Sequence, residues 1–319
     1  MRNVLHSKVI QNKRLQELRM KLLLVGGYES DASEVDSLLE LGRHISAILP
    51  PDTTVDRVFL SDIAYTISPT SFNATITPTG VSVADYDTVY IRGPKMRMRS
   101  EQAFYLSRFC DAKNIRCIND YSLYYPGTKV AQSIIFYEQS APFLKTIYTY
   151  TNATLLLLAE QEFGYPYILK TTTGSHGDAN HLIKSREQAE RAIEEENQID
   201  FLAQQFCEND RDYRILITPD DSLIFARLGS ADTHLNNTSK GAGALLATKN
   251  EVPEQYIMKS REIASRLKLE LAGVDIMPKL GTKEFYFLEI NSQPQFRTGV
   301  FLEEKADFIR KLIIGESKI

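Results

Sequence analysis

The sequence predicts an α/β protein of two or three domains, and three observations carry that reading. Short apolar runs closed by glycine or a basic residue (22–25 before Gly26-Gly27, 88–91 before Arg92-Gly93-Pro94) alternate with amphipathic helical patterns, as in open parallel sheets. The last third instead alternates strand-like runs with tight turns, which suits antiparallel pairing. The length, 319 residues, is enough for more than one core.

Taken in order, 22–25 is a buried strand entering a glycine turn. A helical pattern follows (Val35, Leu38, Leu39, Leu41, Ile45), with Asp31 or Ser33 as cap. Segments 55–67 and 73–83 alternate β-branched and polar residues and are broken by Pro69, Pro78 and Gly80, which predicts strands with a hairpin-like excursion. Strand 88–91, helix 100–113 and strand 115–118 complete a first domain ending near Tyr125. Helices are expected over 128–140 and 154–163. Strand 167–170 enters the loop Thr171-Thr172-Thr173-Gly174-Ser175-His176-Gly177, followed by strand 181–184 and a charged helix over 186–197. Strands 201–206, 213–218 and 223–228 follow, with Pro219-Asp220-Asp221 a turn. Helix 254–267 and strands 271–277 and 284–290, joined about Gly281, close the series.

Composition narrows the class. A formal charge of −4 gives no general basis for nucleic-acid binding, because a phosphate-backbone binder carries a basic face. Three cysteines without C-x-x-C spacing (Cys110, Cys117, Cys207) read as reduced thiols of a cytoplasmic protein. No apolar run approaches the ~20 residues of a membrane helix. Residues 1–19 are basic and acid-poor. They read either as a transit peptide or basic arm, or as a dispensable extension before a domain opening near Met20; the second is preferred.

Two constellations carry chemistry. Glu289 and Asn291 are two apart on a strand and share a face, while Leu288 and Ile290 turn to the core. If that strand pairs with 271–277 about the Gly281 turn, Asp275 meets Glu289, and two carboxylates with an amide oxygen form a hard-oxygen cluster suited to Mg²⁺. A turn acid beside an exposed strand glutamate is the bland alternative. The second constellation is Lys170, ending an apolar strand before a loop rich in glycine and hydroxyls that can turn N–H and O–H groups toward phosphate. A solvated lysine before a loop is equally compatible, and the P-loop spacing is absent.

From Tyr165 to Phe296 the chain resembles the ATP-grasp superfamily, in particular its RimK-type, glutathione-synthetase-like carboxylate–amine ligases. The resemblance rests on Lys170 and its glycine loop, Gln204-Gln205-Phe206, Asp212-Tyr213-Arg214, Arg227, Asn237, Lys240-Gly241, and Asp275, Glu289 and Asn291 in the family's order. It implies an open α/β pre-ATP-grasp domain (20–125) followed by a two-lobed ATP-grasp fold of α+β character, with a lid lobe (126–205) and a C-terminal lobe (206–319). By the same resemblance Lys129 and Lys170 would bind ATP phosphates, and Thr173, Gly174, Ser175 and Gly177 would close over them. Gln204, Gln205 and Phe206 would lie beside adenine, and Glu208 near the ribose. Asp275, Glu289 and Asn291 would hold Mg²⁺, with Mn²⁺ as a substitute. Arg214, Arg227 and Asn237 would face the γ-phosphate and acyl-phosphate, and Lys240 the acceptor. The implied reaction joins a carboxylate to an amine with release of ADP and phosphate. Its substrate would be a peptide, protein or amino acid, and no nucleic acid or membrane partner is expected; homo-oligomerisation stays open. Two other readings remain: a maturase forming ester or amide crosslinks in a small ribosomal peptide, and an ATP-binding module without turnover. The sequence departs from the family at Gln205, where relatives often carry an acid, and at Gln295-Phe296, which replaces a small turn and is expected to crowd the acceptor entrance. Outside the constellation, Arg92 is a candidate for a substrate carboxylate, because ligands of open α/β sheets lie at strand ends.

Overall fold

The computed structural model describes residues 20–27, 32–92, 100–123, 127–173, 179–196, 200–228, 244–248 and 250–316. Two compact units emerge: one takes the chain up to Tyr124 together with the segment from Phe296 onward, and the other runs from Tyr125 to Gln295. The sequence expectation had run the final segment on with the lobe before it. Its amphipathic helix, unforeseen in the sequence reading, buries Phe308, Ile309, Leu312 and Ile313 instead within the first unit.

In the first unit, β1 (Lys21–Gly26), β2 (Thr54–Phe59), β5 (Thr88–Ile91) and β6 (Arg116–Ile118) form a parallel sheet in the order β2-β1-β5-β6. Buried on both faces, β1 and β5 read as unbroken apolar runs, as parallel strands do. The expected excursion is the hairpin of β3 (Ile63–Ser68) and β4 (Ser71–Ile76). Helices α1 (Ala32–Ile48) and α2 (Ser100–Lys113) cover the sheet; α1 starts at Ala32, one residue before Ser33, and Asp31 lies outside the described residues. Leu23, Val25, Val89, Ile91, Leu106 and Phe109 lie at the centre of the core.

The second unit holds two antiparallel sheets. One has the order β7-β10-β8-β9, built from β7 (Thr146–Tyr148), β8 (Tyr167–Thr171), β9 (Asn180–Ile183) and β10 (Phe201–Gln205). Helices α4 (Asn152–Phe163) and α5 (Arg186–Glu196) pack on its core, around Leu155, Leu169 and Phe201. The other has the order β13-β12-β11-β14-β15, from β11 (Arg211–Ile217), β12 (Ser222–Leu228), β13 (Ala244–Leu246), β14 (Ala272–Pro278) and β15 (Phe285–Asn291). Its core face carries Tyr213, Ile215, Ile217, Ile224, Ala226, Val274, Ile276, Phe287 and Ile290 under α3 (Lys129–Glu138) and α6 (Glu254–Arg266). Strands β7 and β13, three residues each, escaped the sequence reading because so short a run has no period to detect. The last helix is α7 (Leu302–Ile314). Among the described residues no helix is long and apolar enough to cross a membrane. Cys110, Cys117 and Cys207 are free thiols, Cys110 fully within the core.

Two glycines separate a tight fit from a permissive one. A β-carbon at Gly273 would lie 2.8 Å from Pro294 Cβ, on a ring tied to its own backbone, whereas one at Gly42 would meet Arg57 Cδ more closely still, but on an exposed flexible side chain that can swing aside. Gly273→Ala should therefore cost roughly 1–3 kcal/mol in urea unfolding. Gly42→Ala should change stability by no more than about 1 kcal/mol, helix propensity favouring alanine. Equal losses at the two positions would contradict this packing.

Candidate active site

The far face of the five-stranded sheet, turned away from its apolar core, is charged. Alternation along β11 sends Tyr213, Ile215 and Ile217 into the core and leaves Asp212 and Arg214 on the other face. The β11–β12 hairpin register sets Asp212 opposite Arg227, and the β11–β14 register sets Arg214 opposite Asp275. Arg214 Nε and Nη2 donate to Asp275 Oδ1 and Oδ2 at 2.7 and 2.6 Å, a bidentate fork, and Arg227 Nη2 lies 3.0 Å from the same Oδ2. Arg227 Nε donates to Asp212 Oδ1. Burial alone would raise the Asp275 pKa, but the two guanidiniums hold it down at about 2. Burial pushes Asp212 up against the pull of Arg227.

The expected partnership of Asp275 and Glu289 is present as a register pair of β14 and β15, and Gly273 faces Asn291. The route to it differs from simple alternation. Ile276 pairs with Phe287 while Asp275 pairs with Glu289, so Leu288 is an extra residue, a β-bulge. The bulge reverses the parity of the strand: Phe285 and Phe287 before it and Ile290 after it all reach the core, and Leu288 is only half-buried. Without it, Glu289 and Asn291 would share a face with Phe287. The backbone N–H of Ile290 donates to Gln132 Oε1 on α3 at 2.9 Å. Gln132, buried at 5% exposure, was not singled out in the sequence; an isolated helical glutamine carries no signal of its own.

Two lysines face this acid pair electrostatically. Lys129 opens α3 under the Thr128 cap; its backbone N–H donates to Thr172 O at 2.9 Å, and its Nζ to Thr171 O and Thr173 O at 3.1 and 3.3 Å. The helix start is thereby fixed to the end of β8. Lys170 lies on the face of β8 opposite the core residues Tyr167 and Leu169 and donates to Gln204 Oε1 at 2.8 Å, while Gln204 Nε2 donates to Thr146 Oγ1 at 3.0 Å. The Gln204 side chain is thus committed to Lys170 and Thr146, and its main chain is paired with β7 and β8. Burial lowers the Lys129 pKa, and Glu289 partly restores it. Burial, and then Lys129, lower Lys170 to about 8. Glu289 is raised by burial and by Asp275, with Arg214, Lys129 and Lys170 opposing.

Of the other expected residues, Gln205 and Glu208 are exposed, Phe206 is half-buried just past β10, and Thr173 is exposed two residues after β8. Gly174, Ser175, His176, Gly177, Asn237 and Lys240 lie outside the described residues. Phe296 differs from expectation. It has no exposed surface and sits under Arg92 in the first unit, while Gln295 before it is exposed. Asp212 is the functional candidate that sequence reasoning left unassigned, although the turn at 219–221 fixes the hairpin register that pairs it with Arg227.

The donor set suits a divalent cation and a polyphosphate. Among the described residues no group of three or more His, Cys, Asp or Glu is placed to hold a metal ion by itself. Asp275 keeps one lone-pair direction on Oδ1 beyond its three guanidinium contacts, and Glu289 makes no hydrogen bond among the described residues. Two carboxylates and an amide oxygen match Mg²⁺, which takes few protein ligands beside phosphate oxygens. Two partly desolvated lysines beside these carboxylates suit a polyphosphate, whose negative charge favours their protonated forms.

Comparison with known proteins agrees. Residues 139–313 match the model of the RimK-like ATP-grasp domain. No curated protein matches the chain in sequence. Among solved structures it is similar to the ATP-grasp ligase PsnB complexed with precursor peptide PsnA2 and AMPPNP, at TM-score 0.65 and 13% identity over 92% of this chain and 98% of that one. It is similar to the Chryseobacterium gregarium RiPP-associated ATP-grasp ligase in complex with ADP and a leader and core peptide, at 0.63 and 15% over 94% and 98%. It is also similar to the D-alanyl-alanine synthetase A of Vibrio cholerae, at 0.62 and 14% over 93% and 98%. With more than half of its length matched by the family model, this chain belongs to the RimK-like ATP-grasp family and is an ATP-dependent ligase.

Proposed function

We propose that the protein activates a carboxylate of a peptide by phosphoryl transfer from ATP and joins it to an amine through an acyl-phosphate. The observation that carries the reading is the juxtaposition of Asp275 and Glu289 on paired strands with Lys129 and Lys170 electrostatically opposite. Glu289, Asp275 and Asn291 would hold Mg²⁺, which when bound neutralises phosphate charge and aligns the oxygens. Lys129 and Lys170 bind the ATP phosphates; Phe206 and the main chain at Gln204 and Gln205 bind adenine, with Glu208 near the ribose. Arg214 and Arg227, held in place by Asp275 and Asp212, direct positive charge at the transferring phosphoryl group.

In the first step a carboxylate oxygen of the substrate attacks the γ-phosphorus and the bond to the ADP oxygen breaks, so ADP leaves. In the second, an amine attacks the acyl carbon, phosphate departs with its bonding pair, and the amine loses a proton. Water would intercept the acyl-phosphate, so the site must be closed during the reaction; Thr173 with Gly174, Ser175 and Gly177 is the segment proposed to do so. Asn237 and Lys240 are proposed for the acyl-phosphate and the acceptor. A peptide substrate is favoured because two of the similar ligases were solved with peptides bound, one with a precursor peptide and one with a leader and core peptide. A hydroxyl in place of the amine would give an ester by the same steps.

Three outcomes test this. A substrate peptide labelled with ¹⁸O in its carboxylates should deliver one label per turnover into inorganic phosphate, read by mass spectrometry; unlabelled phosphate, or AMP as product, would exclude the acyl-phosphate. Glu289→Ala should abolish ADP formation, by at least about 10³-fold, while its circular dichroism stays that of the parent; parent-like turnover would refute the metal assignment. Because the Lys170 ammonium is depressed to about 8, it is charged below that pH and neutral above it, and a bound polyphosphate favours the charged form. ATP affinity should thus fall as pH rises through 8, and binding at pH 8.5 should take up protons, seen as a buffer-dependent heat in calorimetry. Lys170→Met should lose the uptake, and a parent protein that releases protons instead would contradict this site.

A further inference from the structure

The strand that carries Glu289 and Asn291 is the outermost of its sheet. β15 pairs with β14 on one side, and the sheet order gives it no strand on the other. Two N–H groups on that outer edge are answered by nearby chain: Phe287 N–H donates to Pro142 O at 2.8 Å, and Ile290 N–H to Gln132 Oε1 at 2.9 Å. In a regular strand the N–H groups of one edge recur at every second residue. Here they are three apart, because Leu288 is the extra residue between them. Drawing Leu288 back into regular pairing would turn the Ile290 N–H toward β14 and away from Gln132. The bond to Gln132 therefore exists only in the bulged register, the one that sets Glu289 opposite Asp275 and Asn291 opposite Gly273.

Both partners come from one stretch of chain. Gln132 lies on α3 and Pro142 just beyond that helix, and between them Phe136 sets its ring 5.7 Å from that of Phe287, centroid to centroid. The helix is itself anchored: Gln132 N–H donates to Thr128 O at 3.0 Å, and Lys129 N–H to Thr172 O, just past β8, at 2.9 Å. Lys129 precedes Gln132 by three residues, so the lysine and the glutamine stand on one side of the helix. Gln132 and Ile290 are both buried. Without the Gln132 oxygen the Ile290 N–H loses its acceptor out of water, and the bulged register loses the contact that distinguishes it from the regular one.

We propose that Gln132 is a positioning residue of the metal site: its side-chain oxygen, by holding the Ile290 N–H, fixes the strand register that presents Glu289 and Asn291 to the cation. It acts through the backbone between those two residues, as partners behind the ligands of a metal site set ligand orientation. The inference rests on the assignment of Asp275, Glu289 and Asn291 to Mg²⁺; the hold of Gln132 on the bulge does not.

The test uses the full chain with ADP and Mn²⁺, free Mn²⁺ being counted by electron paramagnetic resonance. Gln132→Met, close in size but without the acceptor, should weaken Mn²⁺ binding at least about tenfold and leave metal-free ADP binding at the parent value. Gln132→Asn, whose amide is one carbon too short, should show the same loss and carries the test if the first variant does not fold. Gln132→Glu keeps an oxygen at the position and should hold the parent constant. In the ligand-free chain, hydrogen exchange at the Ile290 amide, followed by NMR, should quicken in Gln132→Met. Ile135→Val thins the packing of the same helix without touching the bond; it should lower the melting temperature and leave Mn²⁺ binding unchanged. Parent-like Mn²⁺ binding by Gln132→Met, or an equal loss in Gln132→Glu or Ile135→Val, would overturn the positioning role. Parent-like Mn²⁺ binding by Glu289→Gln would count against the metal assignment instead.

Discussion

Charge placed on a sheet face out of water must be matched, and in this protein the matching shapes one whole side of the second unit. Asp275 lies between Arg214 and Arg227, Arg227 is shared with Asp212, and Lys129 and Lys170 answer Glu289 from α3 and β8. Removing one member of a buried pair of this kind costs roughly 3–5 kcal/mol, because the survivor is left unpaired. The Asp212–Arg227–Asp275–Arg214 chain is therefore a fixed element. The lysines are different. Burial is the first cause of their lowered pKa values, and on the proposed account the ATP phosphates favour their charged forms.

Backbone detail makes this arrangement possible. The extra residue at Leu288 lets one strand contribute Phe285, Phe287 and Ile290 to an apolar core and Glu289 to the charged face. Opposite, Gly273 admits Pro294 closely, which brings the chain after Asn291 back against β14. The link from Lys129 N–H to Thr172 O ties the helix bearing one lysine to the strand bearing the other. Geometry of this sort is set by main-chain hydrogen bonds before any ligand arrives, so its stiffness belongs to the fold.

Much of this was legible in the sequence, and what escaped did so for physical reasons. The hairpin about Gly281 and the two-residue spacing of Glu289 and Asn291 were enough to expect Asp275 beside Glu289, because register and face follow from turn and period. The bulge was not legible: Leu288 is an ordinary apolar strand residue, and simple alternation would have buried it. Asp212 belongs to the ordered set that carries the family resemblance, but its role emerges only from the β11–β12 register, which places it against Arg227. The placement of α7 within the first unit, and of Phe296 beneath Arg92, depends on contacts far apart in sequence that no local pattern encodes. The RimK-like character was readable only from an ordered set of residues, each of them weak alone.

The central claim is that Asp275, Glu289 and Asn291 grip a divalent cation that is also held by nucleotide phosphate. Pulsed electron–nuclear double resonance on Mn²⁺ bound with ADP tests it most directly. The account predicts a tight ternary complex whose Mn²⁺ signal shows ³¹P coupling, and loss of that complex in Glu289→Gln with the fold intact. Manganese bound without ³¹P coupling, or bound as tightly by Glu289→Gln as by the parent, would contradict it.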